Sequence, residues 1–111
     1  MDITVSDFGT VAVRVTLVGK LDIAGADKID MPLAAVAGTR RNAIIDMTQV
    51  EFIASIGIRH LVSAAKAISR GHGKLLLLNP NAMVTDVLVT AGVDQILPIV
   101  RSEDEALAAF A

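Results

Sequence analysis

Three short apolar runs constrain this chain more than anything else in it: Ala43-Ile-Ile-Asp-Met47, Lys74-Leu-Leu-Leu-Leu-Asn79 and Ile96-Leu-Pro-Ile-Val100. Each is strand-length and continuous rather than alternating, the pattern of a strand covered on both faces. The segments between them are helix-length. Strands alternating with helices fold through right-handed crossovers into a largely parallel sheet. The start of the chain has a different rhythm: Val11, Val13, Val15 and Leu17 alternate with Ala12, Arg14, Thr16 and Val18, the period of a strand. Ile3-Thr-Val-Ser-Asp-Phe8 precedes it, and Gly9-Thr10 fits a two-residue hairpin turn. The expected fold is α/β: a mixed, mostly parallel sheet of about four to five strands, an N-terminal β-hairpin and about four helices.

The helices have readable ends. From Ser55, the apolar set Ile58, Leu61, Val62, Ala65 and Ile68 forms an amphipathic stripe, stopped by Gly71 and Gly73. Asn81 caps a helix carrying Val84, Val87, Leu88 and Ala91, closed by Gly92. Ser102-Glu-Asp-Glu105 reads as a capping box ahead of Leu107 and Phe110. The first crossover, Ala24 to Gly38, contains Pro32, which breaks a helix unless it lies in a first turn, with Asp30 as the cap. Pro98 makes the last strand an edge strand or shortens it.

With 111 residues and no linker, the chain is expected to be one domain spanning 1–111, large enough for a core without staples. The absence of Cys excludes disulfides and thiol chemistry. No Trp, no Tyr, three Phe and a net charge of -2 argue against nucleic acid as a partner. Mean hydropathy is high, at +0.60, yet Arg14, Lys20, Asp46, Asp86 and Asp94 interrupt every apolar run well short of the roughly 18 residues a bilayer span needs. Direct membrane insertion is not expected, and Met-Asp-Ile-Thr is not the start of a signal peptide, so a cytoplasmic location is expected.

No catalytic set stands out. Ile53 excludes a Gly-x-Ser-x-Gly elbow around Ser55. His60 lies about 500° around the helix from Ser55, and His72 sits between glycines; both read as solvated surface residues, without metal-ligand spacing. No metal or cofactor is expected, and no enzymatic activity. What remains is a lone hydroxyl, Ser55, at the start of a helix, where it can act as a cap or be offered to a kinase. Asp22 and Asp46 are placed at the carboxyl ends of strands, where open α/β sheets build their sites; each could equally serve its own turn. Arg59, Ser63, Lys66 and Arg70 form one basic stripe, an ordinary solvated face or a docking surface, with Arg59 one turn from Ser55.

The order strand, strand, Gly19-Lys-Leu-Asp22, crossover, Ile44-Ile-Asp46 and Phe52-Ile-Ala-Ser55-Ile-Gly57 before a helix resembles the STAS domain, and more narrowly the bacterial anti-sigma factor antagonists. Leu76-Leu-Leu-Asn-Pro80 and Ala91-Gly-Val-Asp94 agree with it, so the resemblance covers essentially the whole chain. It implies that Ser55 is phosphorylated by an anti-sigma factor that is itself a serine kinase and brings the ATP. The unmodified chain would bind that kinase and free the sigma factor, with a phosphatase as a possible further partner. Asp22, Asp46, Ala54, Ile56, Gly57, Arg59, His60 and Ser63 are the positions expected to meet the partner. Where the family commonly has Asp-Ser-Ser/Thr-Gly, this chain reads Ala54-Ser55-Ile56-Gly57. Two other roles known for such domains, a subunit of a membrane lipid-transport complex and a non-switching scaffold, are the alternatives.

Overall fold

The longest strand, Ala43–Ile53 (β3), is the middle of a five-stranded sheet in the computed structural model, which describes residues 1–39 and 41–111. The sheet order is β1-β2-β3-β4-β5, with β1 Asp2–Phe8, β2 Ala12–Leu21, β4 Leu75–Leu78 and β5 Ile99–Val100. β1 pairs with β2 antiparallel, and every other pairing is parallel. The helices are α1 Ile23–Gly38, α2 Ser55–Arg70, α3 Ala82–Thr90 and α4 Glu103–Phe110, with a 3-10 turn at Val93–Gln95. The expected fold class holds.

β3 is more than twice as long as its apolar run implied, and the reason is local. The β2–β3 register shifts twice, from Thr16↔Asp46 to Val18↔Gln49 and from Gly19↔Val50 to Lys20↔Phe52. Each shift inserts one extra residue into β3, a β-bulge. The inward residues of β3 are therefore Ile45, Met47, Val50 and Ile53, spaced two, three and three apart, all in one core cluster. A reading by period-2 alternation loses the strand at the first bulge.

Each face of the sheet has its own core. Val13, Val15, Leu17, Ile45, Met47, Leu75 and Leu77 pack beneath α1 and α2, joined by Val84 and Leu88 of α3. Phe8, Ala12, Ile44, Leu76, Leu78 and Val100 lie beneath α4, with Ala106 and Phe110. Leu75–Leu78 thus alternates between two buried faces, which is why the run is continuously apolar.

Three expectations are corrected. The hairpin loop has three residues, Gly9, Thr10 and Val11, because Phe8 pairs with Ala12; Gly9 takes the left-handed conformation (φ 57°) that the turn requires. α1 runs unbroken through Pro32, and its cap is Asp22, not Asp30. A mid-helix proline costs about 3 kcal/mol, and the buried stripe Ala26, Ile29, Leu33, Val36 and Ala37 outweighs it. Of the capping box, the Ser102 hydroxyl accepts from the Glu105 N–H at 3.1 Å, while the Glu105 carboxylate reaches back to the Arg101 N–H at 3.4 Å. The other two signals hold: Asn81 caps α3 by accepting from the Val84 N–H, and β5 after Pro98 is a two-residue edge strand.

Candidate functional site

β2 and β3 end side by side, with Leu21 in register with Ile53 and the Ala54 N–H donating to the Leu21 carbonyl at 2.9 Å. Their next residues, Asp22 and Ala54, are therefore neighbours at one end of the sheet, and each is the N-cap of a helix. The two starts share a frame, Asp22-Ile-Ala-Gly25 and Ala54-Ser-Ile-Gly57. In both, the glycine is the third helical residue and is buried. A Cβ on Gly25 would lie 2.2 Å from the Lys20 carbonyl oxygen, and one on Gly57 would lie 2.6 Å from Leu21 Cγ. These glycines let both helices rest directly on the end of β2. The repeated frame is visible in the sequence, but its meaning depends on the strand beneath.

The two starts differ in the cap. The Asp22 carboxylate accepts from the Gly25 N–H at 2.8 Å. Ala54 has nothing to offer, and α2 has no side-chain cap. Ser55 is the first helical residue rather than the cap, so the expectation that its hydroxyl closes the helix is corrected. Among the described residues, its hydroxyl makes no hydrogen bond to a helix-start N–H. The result is an exposed hydroxyl beside helix-start N–H groups that no side chain occupies.

The neighbours of Ser55 divide clearly. Ile56 is half-buried and Arg59 is exposed one turn on. Ile23 (78% exposed) follows Asp22 and Phe52 (43% exposed) precedes the site, so the end of the sheet carries two uncovered apolar side chains. His60 is only partly solvated, its side chain 24% exposed: it turns toward α1, where its Nδ1 lies 3.4 Å from a carboxylate oxygen of exposed Asp30. With Leu33, Ala34, Ala37 and Ala64, that pair lines a half-open cleft of about 240 Å³ between α1 and α2, with exposed Ser63 at its rim.

Asp46 is not part of this constellation. It lies inside β3 rather than at a strand end, and it shares the α4 face of the sheet with Ile44. One of its oxygens accepts from the Thr48 N–H at 3.0 Å, serving the backbone at the first bulge. The other meets Arg14 at 3.4 Å, whose guanidinium also pairs with Glu103 and lies 5.0 Å from the centroid of the Phe8 ring. Through Arg14, Asp46 is linked to Glu103 on α4. The structure brings together Asp22, Ala54, Ser55, Ile56, Gly57 and Arg59; it places His60 and Ser63 along the α1–α2 cleft and leaves Asp46 on the opposite face.

Among the described residues no polar or charged side chain is buried, and no three His, Cys, Asp or Glu residues cluster to hold a metal ion. Among the described residues no helix is long and apolar enough to cross a membrane. What this end of the molecule offers is a surface with one exposed hydroxyl.

A Bordetella bronchiseptica protein, BtrV, named as an anti-sigma factor antagonist, is 30% identical over 95 residues, covering 85% of this chain and 82% of BtrV. An anti-sigma factor antagonist from Mycobacterium paratuberculosis shares the fold with a TM-score of 0.87 at 22% identity, over 98% of this chain and 92% of that one. The phosphorylated form of the Bacillus cell fate determinant SpoIIAA does so with a TM-score of 0.73 at 18% identity, over 99% and 100% of the two chains. The family model of the STAS domain matches residues 5–106, and this chain belongs to the STAS domain family.

Proposed function

We propose that this chain is an anti-sigma factor antagonist, a non-enzymatic binding module that engages an anti-sigma factor with serine kinase activity and is released by a phosphate on Ser55. The observation that carries the reading is the Ser55 hydroxyl, exposed on the first residue of an α2 that no side chain caps. The name of BtrV supports the partner class, and SpoIIAA supplies a phosphorylated relative of the same fold.

The chemistry is simple. The Ser55 oxygen attacks the γ-phosphorus of ATP held by the partner, the new O–P bond replaces the bond to ADP, and the hydroxyl proton passes to a base on the kinase. This chain contributes only an accessible hydroxyl. The phosphate adds about -1.5 to -2 charges. At the positive end of α2 that charge is tolerated, being favourable by about 0.3–1 kcal/mol. In an interface shaped around a neutral hydroxyl, a loss of only about 2.7 kcal/mol lowers affinity a hundredfold. The fold stays as it is while the partner leaves.

Incubation with the anti-sigma factor of the same genome and Mg-ATP tests the reading by intact mass. One phosphate on the wild type and none on Ser55→Ala is the expected result. An unmodified wild type, or equal modification of Ser55→Ala, rules the switch out.

A further inference from the structure

The surface of α2 has one sign. Its 16 residues contain no Asp or Glu, in a chain whose acids outnumber its bases by 12 to 10. Arg59, Lys66 and Arg70 are all exposed, and among the described residues none of them takes part in an ion pair. Elsewhere Arg14 and Arg41 are in ion pairs and Lys74 and Arg101 donate to backbone carbonyls, while Lys20 and Lys28 are exposed and unpaired among the described residues but are not gathered on one helix face. At 100° per residue, Ser55, Lys66, Arg59, Arg70 and Ser63 fall within an arc of about 80° on a face about 22 Å long. Ser55 stands at the head of an unpaired basic stripe.

The far end of that stripe borders a hollow of about 480 Å³ between the last turns of α2 and the 3-10 turn. Lys66, Ser69, Arg70 and Gln95 supply its polar lining, and Ala65 and Ile96 its apolar part, with Ile96 45% exposed. All of the polar groups can donate hydrogen bonds, two are cationic, and none is an acid.

We infer that α2 docks an acidic, amphipathic segment of a partner protein, laid along the stripe from Ser55 to Arg70 with a carboxylate held by Lys66 and Arg70 and an apolar side chain on Ile96. The inference rests on the anti-sigma factor reading and gives the segment of that partner its chemistry. It also accounts for the sign of the switch. A phosphate on Ser55 sits one turn from Arg59, close enough to take that cation for itself. The same phosphate repels a segment chosen for its negative charge. A neutral serine favours docking, and a phosphoserine opposes it, without any change of fold.

Titration of the full chain against the purified anti-sigma factor at about 50 and 300 mM salt tests this, with the Lys66→Glu/Arg70→Glu double variant beside the wild type. Both residues are exposed, so thermal unfolding of the variant should match wild type. The expected results are an affinity that falls about tenfold or more over that salt range and a comparable loss in the double variant. Arg41→Glu, at the other end of the sheet, should stay within about twofold. Salt-independent binding, or a double variant that binds like wild type, overturns the inference and leaves the anti-sigma reading standing. A wild type that does not bind the anti-sigma factor at either salt overturns both. If the double variant binds the anti-sigma factor normally but loses binding to phosphatidylserine-containing vesicles, the stripe serves an anionic membrane and the inference is wrong.

Discussion

Gly57 lies so close to Leu21 that a Cβ on it would come within 2.6 Å of Leu21 Cγ and 3.2 Å of the Leu21 carbonyl oxygen. Leu21 is fully buried at the end of β2, with little room to move. Gly57→Ala should therefore destabilise the fold by about 1–3 kcal/mol and lift the start of α2, where Ser55 sits. Gly38→Ala, with nothing within 4 Å of its new Cβ, is the matched control. It should be neutral or stabilising by about 0.4–1 kcal/mol. Urea unfolding of the two variants checks both, and a Gly57→Ala that unfolds like wild type removes the steric account.

The cap of α2 is missing, and restoring it should show. Ala54→Asp or Ala54→Ser places an oxygen where Asp22 has one on α1, and should stabilise by about 0.5–2 kcal/mol. Ser55→Ala, by contrast, removes a hydroxyl that caps nothing and should stay within about 0.5 kcal/mol of wild type. Thermal melts read both differences. A Ser55→Ala loss comparable to a lost cap would mean that the hydroxyl closes the helix after all.

That stability result makes Ser55 substitutions clean probes of binding. Ser55→Asp should bind the anti-sigma factor at least tenfold more weakly than Ser55→Ala, the two being folded alike; tenfold is about 1.4 kcal/mol. Calorimetry on both variants measures it. Equal affinities would remove charge as the cause of release.

Asp22 and Asp46 should separate by what they break. Asp22→Ala loses the α1 cap and should cost about 1 kcal/mol, beside the start of α2. Asp46→Ala leaves the Thr48 N–H without its side-chain partner and removes one of the two carboxylates on Arg14, which keeps Glu103. It should cost about 1–3 kcal/mol while anti-sigma binding by the folded protein stays within about twofold. Unfolding and binding measured on the same preparations decide it, and a large binding defect in a folded Asp46→Ala would return that residue to the site.

Much of the fold was legible because its signals are local. Leu75–Leu78 announced a strand buried on both faces, and Asn81 and Ser102 announced helix starts through short-range hydrogen bonds that their own segments supply. Of the candidate site, the exposed serine and the basic stripe could be read from helical periodicity alone. Three features could not. Asp46 looked like a strand-end acid because the bulges that carry β3 onward exist only in its pairing with β2. His60 looked solvated because Asp30 reaches it from another helix. Pro32 looked like a break because the gain that offsets it is the burial of α1 against the sheet.

The sequence by itself determined the alternation of strands and helices and the lone hydroxyl at the start of α2, since both follow from side-chain periodicity and short-range hydrogen bonding. Only the tertiary structure decided that Ser55 is the first helical residue rather than the cap, and that Asp22 stands beside it while Asp46 does not. The physical reason is the same in each case. Where a helix begins and which face a strand residue takes are set by register with the neighbouring strand, here by the Leu21–Ala54 hydrogen bond and by two extra residues in β3.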